Sequence, residues 1–518
     1  MARKVYIQPG VWIILIAVLM VGAFFGIKAL QKSGGLGKVA EAVAPSGKAS
    51  VKPIKLAGKE PLIVAINTWV GYAPIVYFNN GLNPSQESRF MKEYGVPVQI
   101  MIMDNFDDSR NAFKANKVDV ISNTADVLPT EINSLMDFAP KVFLQVDWSR
   151  GGDKIVVRPG INSISDLRGK SVALAIGTPS QTLIIRAIES GEVSYDELNV
   201  KKMQTALQAA EAFKAGEVDA AIVWSPDDED CLTAIPGAKV LISTKEAAYT
   251  IADVFYAKDE VLTRKRKEIS AFVAGCLTAA AELNGNSSAR KEAQKLMTTS
   301  FNVPEVVMNL DFARFTTYGD NENFFNLLPT QCKCVKGEDL YTKMARAFNK
   351  IGLAPDNVPA WRTITDISFL VDLKGSFGGA EHMAEAGTSF DKPTEAHKMA
   401  PAVATKHITI NFATGSYALS DDARYIIDRD FGPIAKSFAG FRIRIEGNTD
   451  NVGSVSMNKS LSYKRAKAVA DFLVSTYSFD MNRFVIMGNG PDSPVASNDT
   501  EAGRAANRRT DFELIGGR

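Results

Sequence analysis

One segment of this chain occurs twice, and it constrains the fold more than any other feature. Phe113-Lys114-Ala115-Asn116-Lys117-Val118-Asp119-Val120 returns as Phe213-Lys214-Ala215-Gly216-Glu217-Val218-Asp219-Ala220. Each copy ends a helical stretch, turns, and opens an apolar strand that runs into a polar loop. The loops are Asn123-Thr124-Ala125-Asp126 and Ser225-Pro226-Asp227. Residues 62–66 lead in the same way into Asn67-Thr68-Trp69-Val70-Gly71-Tyr72, and residues 171–176 into Gly177-Thr178-Pro179-Ser180-Gln181. Short apolar strands alternating with helices predict α/β domains with largely parallel sheets, and the repeat predicts two similar lobes closing on a ligand. In such folds a ligand sits at the carboxyl ends of the strands, where helix N-termini offer free N–H groups.

A chain of 518 residues has room for about three domains, and 46% hydrophobic with 23% charged residues is a folded composition. The formal net charge of +1 gives no footing for nucleic acid. Four cysteines, Cys231, Cys276, Cys332 and Cys334, are too few and too scattered for a disulfide scaffold. Cys332-Lys333-Cys334 lacks the histidine or second cysteine pair of a metal site, while one disulfide is compatible with an oxidising compartment. All three histidines, His382, His397 and His407, fall after residue 373. Residues 61–373 therefore hold no histidine-based triad, and they show neither a glycine-rich phosphate loop nor a Cys-His cluster. No enzymatic activity, catalytic residue, metal or cofactor is expected.

Residues 11–27 form an uninterrupted apolar run preceded by Arg3 and Lys4, and extension to Leu30 gives nearly the ~20 residues that span a bilayer. The run is either a cleaved signal or a retained anchor. The best small-residue cleavage site, Ala42-Val43-Ala44, lies far downstream, which favours the anchor. Basic residues flank both sides, so charge alone does not orient it. Residues 32–60 and 374–404 are rich in small residues and proline, without periodicity, and are expected as tethers of ~30 Å mean span. The expected plan is a stub and transmembrane helix (1–31), a linker (32–60), a bilobed domain (61–373), a second linker (374–404) and a C-terminal α+β domain (405–518).

Asn67-Thr68-Trp69-Val70-Gly71-Tyr72-Ala73-Pro74, the two Phe-Lys-Ala strands and Ser163-Ile164-Ser165-Asp166-Leu167-Arg168-Gly169-Lys170 stand in an order that resembles periplasmic solute-binding proteins of the nitrate, taurine, aliphatic sulfonate and thiamine-precursor group. The resemblance implies a first lobe at about 61–155 plus 250–373 and a second at about 156–249. The ligand site is then Trp69, Tyr72, Thr124 and Asp126 facing Thr178, Ser180, Trp224 and Asp227. Hydroxyls, helix N-termini and indoles suit a small anion or zwitterion. Asp126 and Asp227 would repel a pure anion unless they face an amine on the same molecule, and the Asp227-Asp228-Glu229-Asp230 run equally fits a solvated helix start.

Toward the C-terminus, Gly447-Asn448-Thr449-Asp450-Asn451-Val452-Gly453 is followed by Asn458, Leu461-Ser462, Arg465-Ala466, Gly503-Arg504 and Asn507-Arg508-Arg509. This ordered set resembles the OmpA-like peptidoglycan-binding domain. The diaminopimelate of peptidoglycan presents an ammonium and a carboxylate close together, so a receptor needs one anion and one forked cation. The resemblance implies that Asp450 and Arg465 hold diaminopimelate, with Thr449, Asn458, Leu461 and Arg509 shaping the pocket. Asn448 stands where the family often has histidine. Because peptidoglycan lies outside the inner membrane, the bulk of the chain is expected in the periplasm on a single-pass anchor.

Two functions follow. In one, the chain is the wall-tethered substrate-binding component of an ABC-type uptake system, with a permease as partner. In the other it is an envelope sensor or scaffold whose binding domain contacts a protein. A stator-like role ranks below both, because the apolar run carries no acidic residue for proton coupling.

Overall fold

A computed structural model describes residues 52–328, 334–410, 412–413 and 415–516. The apolar run expected as an anchor, most of the first linker and Cys332 lie outside them. Among the described residues no helix is long and apolar enough to cross a membrane. Cys334 is disulfide-bonded, whereas Cys231 and Cys276 are free and buried.

The strands of the bilobed region are β1 (Leu62–Ile66), β2 (Val98–Ile102), β3 (Val120–Thr124), β4 (Pro140–Ser149), β5 (Asp153–Val157), β6 (Ser171–Ala175), β7 (Asn199–Met203), β8 (Ala220–Trp224), β9 (Lys239–Ser243), β10 (Ala252–Lys258) and β11 (Ala313–Phe315). They form a six-stranded sheet ordered β11-β4-β10-β3-β1-β2 and a five-stranded sheet ordered β7-β6-β8-β5-β9. The chain thus crosses between sheets twice, from β4 to β5 and from β9 to β10. The expectation of largely parallel sheets holds for only part of each. β1 runs parallel to β2 and β3, and β6 parallel to β7 and β8, but β4, β10 and β11 pair antiparallel in the first sheet and β5 and β9 do so in the second. β4, β5, β9 and β10 enter or leave a crossing and lack the helical return within their own sheet that makes neighbouring strands parallel.

The sequence repeat has a structural cause. In both copies a helix, Phe106–Lys114 or Ala206–Lys214, ends in a turn at Asn116 (φ +55°) or Gly216 (φ +83°) and opens β3 or β8. The aspartate of each copy then ties down a parallel strand. Asp119 accepts the Ile63 N–H of β1 at 2.9 Å, and Asp219 accepts the Ser171 N–H of β6 at 2.8 Å.

The C-terminal sheet contains β12 (Ala402–Ile408), β13 (Arg442–Asn448), β14 (Phe484–Gly490) and β15 (Thr510–Ile515), ordered β12-β15-β13-β14. Helix Val455–Tyr477 carries the chain from β13 to its parallel neighbour β14. Ile443 and Ile445 face the core as their alternation requires, but Arg442 and Arg444 on the opposite face are also buried. Residues 390–400 cover them. The Arg442 guanidinium donates to the carbonyls of Asp391 and Asn482 and stacks on Phe390, and Arg444 donates to the carbonyls of Lys398 and Ala400 and to Glu513. Residues 374–404 are thus bonded along their length rather than extended. Glu385 in the same stretch accepts from Arg150 and from the Tyr249 hydroxyl.

One continuous apolar core joins Leu174, Ile184 and Ile188 of the second lobe to Phe431, Ile434 and Phe438 of the C-terminal domain. At its edge Arg186 donates to Ser437 at 2.8 Å, and the Gly440 N–H donates to the Glu246 carbonyl at 3.0 Å. A Cβ on Gly440 would stand 2.7 Å from Glu246 Cα and 2.8 Å from the Lys245 carbonyl, backbone atoms that cannot turn aside. Gly440→Ala is therefore expected to destabilise the chain by about 1–3 kcal/mol, measured as a lower urea midpoint. An unchanged midpoint would show that this contact does not hold the two domains together.

Candidate functional site

The two crossings and the ends of β3 and β8 meet at one cavity of about 30 Å³ between the lobes, room for one or two water-sized groups. Trp69, Phe106, Thr124 and Asp253 line it from the first lobe, and Pro179, Trp224 and Asp153, which the sequence placed in the first lobe but which opens β5 of the second sheet, line it from the second. Strand register puts the acids there. Asp253 of β10 lies opposite Thr124 of β3 on one side and Asp147 of β4 on the other, and Asp153 of β5 lies opposite Trp224 of β8. The Trp69 indole N–H donates to Asp147 Oδ2 at 2.7 Å, and the Tyr72 hydroxyl to Asp253 Oδ1 at 2.5 Å. Gly71 permits this packing, since a Cβ there would collide with Asp147 Oδ2. The Ser149 hydroxyl donates to Asp153 at 2.7 Å and meets the Thr244 hydroxyl at 2.8 Å, which laces the two crossings together.

Four carboxyl groups, Asp126, Asp147, Asp153 and Asp253, are thus buried at the junction of the lobes. Burial pushes Asp126 up to about 7, against the nearby Thr182 and Thr124 hydroxyls and the Ala252 N–H. Burial, with the charges of Asp253 and Asp126 behind it, pushes Asp153 up to about 7. Asp147 and Asp253, side by side across β4 and β10, are both raised, first by burial. The cations around the cleft are engaged elsewhere: Lys154 with Asp228, Arg150 with Glu385 and Arg110 with Glu131. Around the same junction Thr124 Oγ1, Asp126 Oδ2, Asp147 Oδ1, Ser180 Oγ, Thr182 Oγ1 and Trp224 Nε1 are buried without a hydrogen-bond partner. A buried polar atom without a partner costs about 1–3 kcal/mol, so a cluster of them marks a place built for something else. A larger groove of about 1400 Å³ beside Glu189, Lys343 and Tyr477 holds no such atom among its lining residues.

The structure brings together most of the predicted residues. Trp69, Thr124 and Trp224 line the cavity, and Tyr72 stands behind Asp253. Asp126 is buried beside the start of helix Pro179–Ser190, where Ser180 is also buried. Thr178 caps back onto the Ala175 carbonyl at 2.9 Å. Asp227 does not line the cavity; it begins helix Asp227–Ala234 and feels Asp230 and Lys214. Asp147, Asp153 and Asp253 were missed by the sequence reasoning. Their signal was an acid inside an apolar strand, as in Ala252-Asp253-Val254-Phe255, where burial forbids an acid without a task.

In the C-terminal domain Asn458, Leu461 and Arg465 stand on helix Val455–Tyr477, beside the loop that follows β13 and carries Thr449 and Asp450. Asn458 donates to the Val452 carbonyl at 3.0 Å and Thr449 to the Asp450 carbonyl at 2.8 Å, which shapes that loop. Asp450 accepts the Val452 N–H at 3.1 Å and pairs with Arg508 at 2.7 Å. Arg465 donates to the Ser416 carbonyl at 3.0 Å and lies over Phe412. No carboxylate among the described residues forms an ion pair with it, and burial lowers its pKa against the charge of Asp450. Arg509 turns away to Asp511 at 3.1 Å, so Arg508, not Arg509, is the arginine beside Asp450.

Two family models match separate stretches of the chain. The model of the OmpA family matches residues 411–508, and the model described as NMT1/THI5 like matches residues 154–286. Outer membrane protein A of Bordetella avium is 46% identical over 72 residues, 14% of this chain and 37% of that protein. Peptidoglycan-binding protein ArfA of Mycobacterium tuberculosis is 38% identical over 110 residues, 20% of this chain and 33% of its own. The chain thus spans only about a third of the length of these relatives. The periplasmic aliphatic sulphonate binding protein SsuA from Escherichia coli is 19% identical, with a TM-score of 0.47 over 59% of this chain and 97% of its own.

The buried acids set a pH dependence. Asp153 has an ordinary value of 3.8 and stands at about 7 in the folded chain, so its contribution to stability is intact below the first value and lost as pH rises through the second. Asp153→Asn should differ little from the parent near pH 4 and melt on the order of 5 °C higher at about pH 8. Melting curves across that range check it, and a gap that does not widen with pH refutes the assignment.

Proposed function

We propose that this chain, in which an OmpA-family domain follows an NMT1/THI5-like region, is a solute-binding protein held in the periplasm by peptidoglycan and by an inner-membrane anchor at residues 11–27. Its solute site is the interlobe cavity, and it serves an ABC-type uptake system through a permease. The wall site uses Asp450 as the acceptor for the ammonium of diaminopimelate and Arg465 as the fork for its carboxylate, with Thr449, Asn458 and Leu461 holding the loop and helix in place. The observation that carries the tether is Arg465: a half-buried guanidinium beside Asp450 whose partners are carbonyls and a ring rather than a carboxylate. Such a cation gains most from a carboxylate supplied from outside. The segment division stated from sequence remains part of this proposal, with residues 374–404 acting as a bonded strap.

The sensor reading has its own support. The second lobe and the wall domain share one apolar core, so lobe closure and wall attachment meet on the same element, helix Pro179–Ser190.

Purified sacculi and the full chain in detergent test the tether. Asp450→Ala and Arg465→Ala are each expected to lower retention roughly tenfold or more, while Arg509→Lys, facing Asp511, changes it far less. Retention unaffected by the first two variants rules this wall site out.

A further inference from the structure

We infer that the interlobe cleft takes a small organic cation, a protonated amine with a neighbouring oxygen, held by Asp153 and Asp253 between Trp69 and Trp224. This rests on the solute-binding reading above and fixes the chemistry of its ligand.

The first argument is the charge of the cleft. Helices Phe106–Lys114 and Pro179–Ser190 both begin at the cleft, and Asp126 of the first lobe is buried beside the Thr182 hydroxyl of the second. The protein thus already places an acid of its own beside helix Pro179–Ser190. A second anion would meet Asp153 and Asp253 in the wall with no cation facing it, since Lys154 and Arg150 are paired with Asp228 and Glu385.

The second argument is the unpartnered atoms. Thr124 is 4% exposed, lines the cavity and leaves its hydroxyl without a partner. Asp153 and Asp253 line the cavity, and their carboxyl oxygens can accept further N–H or O–H donors. The Trp224 indole N–H is likewise unbonded, which calls for one acceptor oxygen. An ammonium group supplies the donors and a hydroxyl or carboxylate nearby supplies the acceptor. The cleft also has an acidic rim at Asp104, Asp107 and Asp108, all exposed. A metal ion fits less well: among the described residues no group of three or more His, Cys, Asp or Glu is placed to hold one.

The cavity of about 30 Å³ accommodates an ammonium head group and little more, so entry requires the lobes to part about the crossings at residues 149–153 and 243–252.

The test uses the full chain in detergent at about pH 8, with thermal shift and tryptophan fluorescence as readouts. Ethanolamine is the cationic probe, ethylene glycol its uncharged counterpart and ethanesulfonate the anion. Ethanolamine is expected to raise the melting temperature with saturation and to quench tryptophan emission, and the other two are not. Asp153→Asn should weaken the apparent affinity tenfold or more. Trp224→Phe, which removes only the N–H and part of one wall, should weaken it several-fold, and it serves if the first variant does not fold. Stabilisation by ethanesulfonate in place of ethanolamine overturns the cation assignment and leaves solute binding standing. Ethanolamine binding that neither variant weakens places the amine elsewhere and overturns the assignment too. No response to any probe overturns both readings.

Discussion

Carboxyl groups are seldom buried without cations, yet at the junction of the lobes several are, and the surrounding structure is arranged to hold them. The Asp147–Asp253 pair lies directly opposite across β4 and β10, where like charges destabilise a sheet. The structure offsets this with specific donors: the Trp69 indole for one and the Tyr72 hydroxyl for the other. Those donors in turn require Gly71, because any side chain there would displace Asp147. Ser149 does the same for Asp153 and, by meeting the Thr244 hydroxyl, fastens the two crossings to each other. The two crossings and Asp153 are therefore tied together by hydrogen bonds.

The C-terminal domain follows the same rule with the opposite charge. Arg483 is buried and donates to the carbonyls of Phe441, Ala435 and Phe438, and burial alone lowers its pKa to about 9. Arg442 and Arg444 are likewise met by carbonyls, but theirs come mainly from residues 391–400. The strap over the sheet is thus what makes these arginines tolerable, since a buried guanidinium without acceptors costs far more than it returns.

What was legible in the sequence was what local spacing decides. The Phe-Lys-Ala repeat located two equivalent strands because the turn and the tying aspartate lie within one short segment. The residues after β1, β3 and β8 were legible for the same reason, since loops at strand ends are where ligands sit. The acids of the cleft were not, because Asp147, Asp153 and Asp253 meet only through pairing between strands far apart in the chain. The burial of Arg442 and Arg444 was hidden too: alternation predicts an exposed face, and what covers it is a stretch poor in large apolar residues. Arg508 and Arg509 show the limit at its finest. Neighbouring residues entering a strand point to opposite sides, so only one can face Asp450, and which one follows from the register of β15 on β13, where Gly447 lies opposite Thr510.

The joining of the second lobe to the C-terminal domain gives this arrangement a mechanical direction. A bilobed receptor opens by moving one lobe relative to the other about the crossings. Here the second lobe shares its core with the domain that carries Asp450 and Arg465, while Glu385 in the strap accepts from Arg150 and Tyr249, which flank the two crossings. If the second lobe is held with the wall domain, the first lobe is the part that moves. It carries Trp69, Tyr72, Asp126, Asp147 and Asp253, so opening withdraws most of the buried acids from the second lobe's Asp153 and Trp224 together. Closing brings them back together, where each depends on the donors that the surrounding structure supplies.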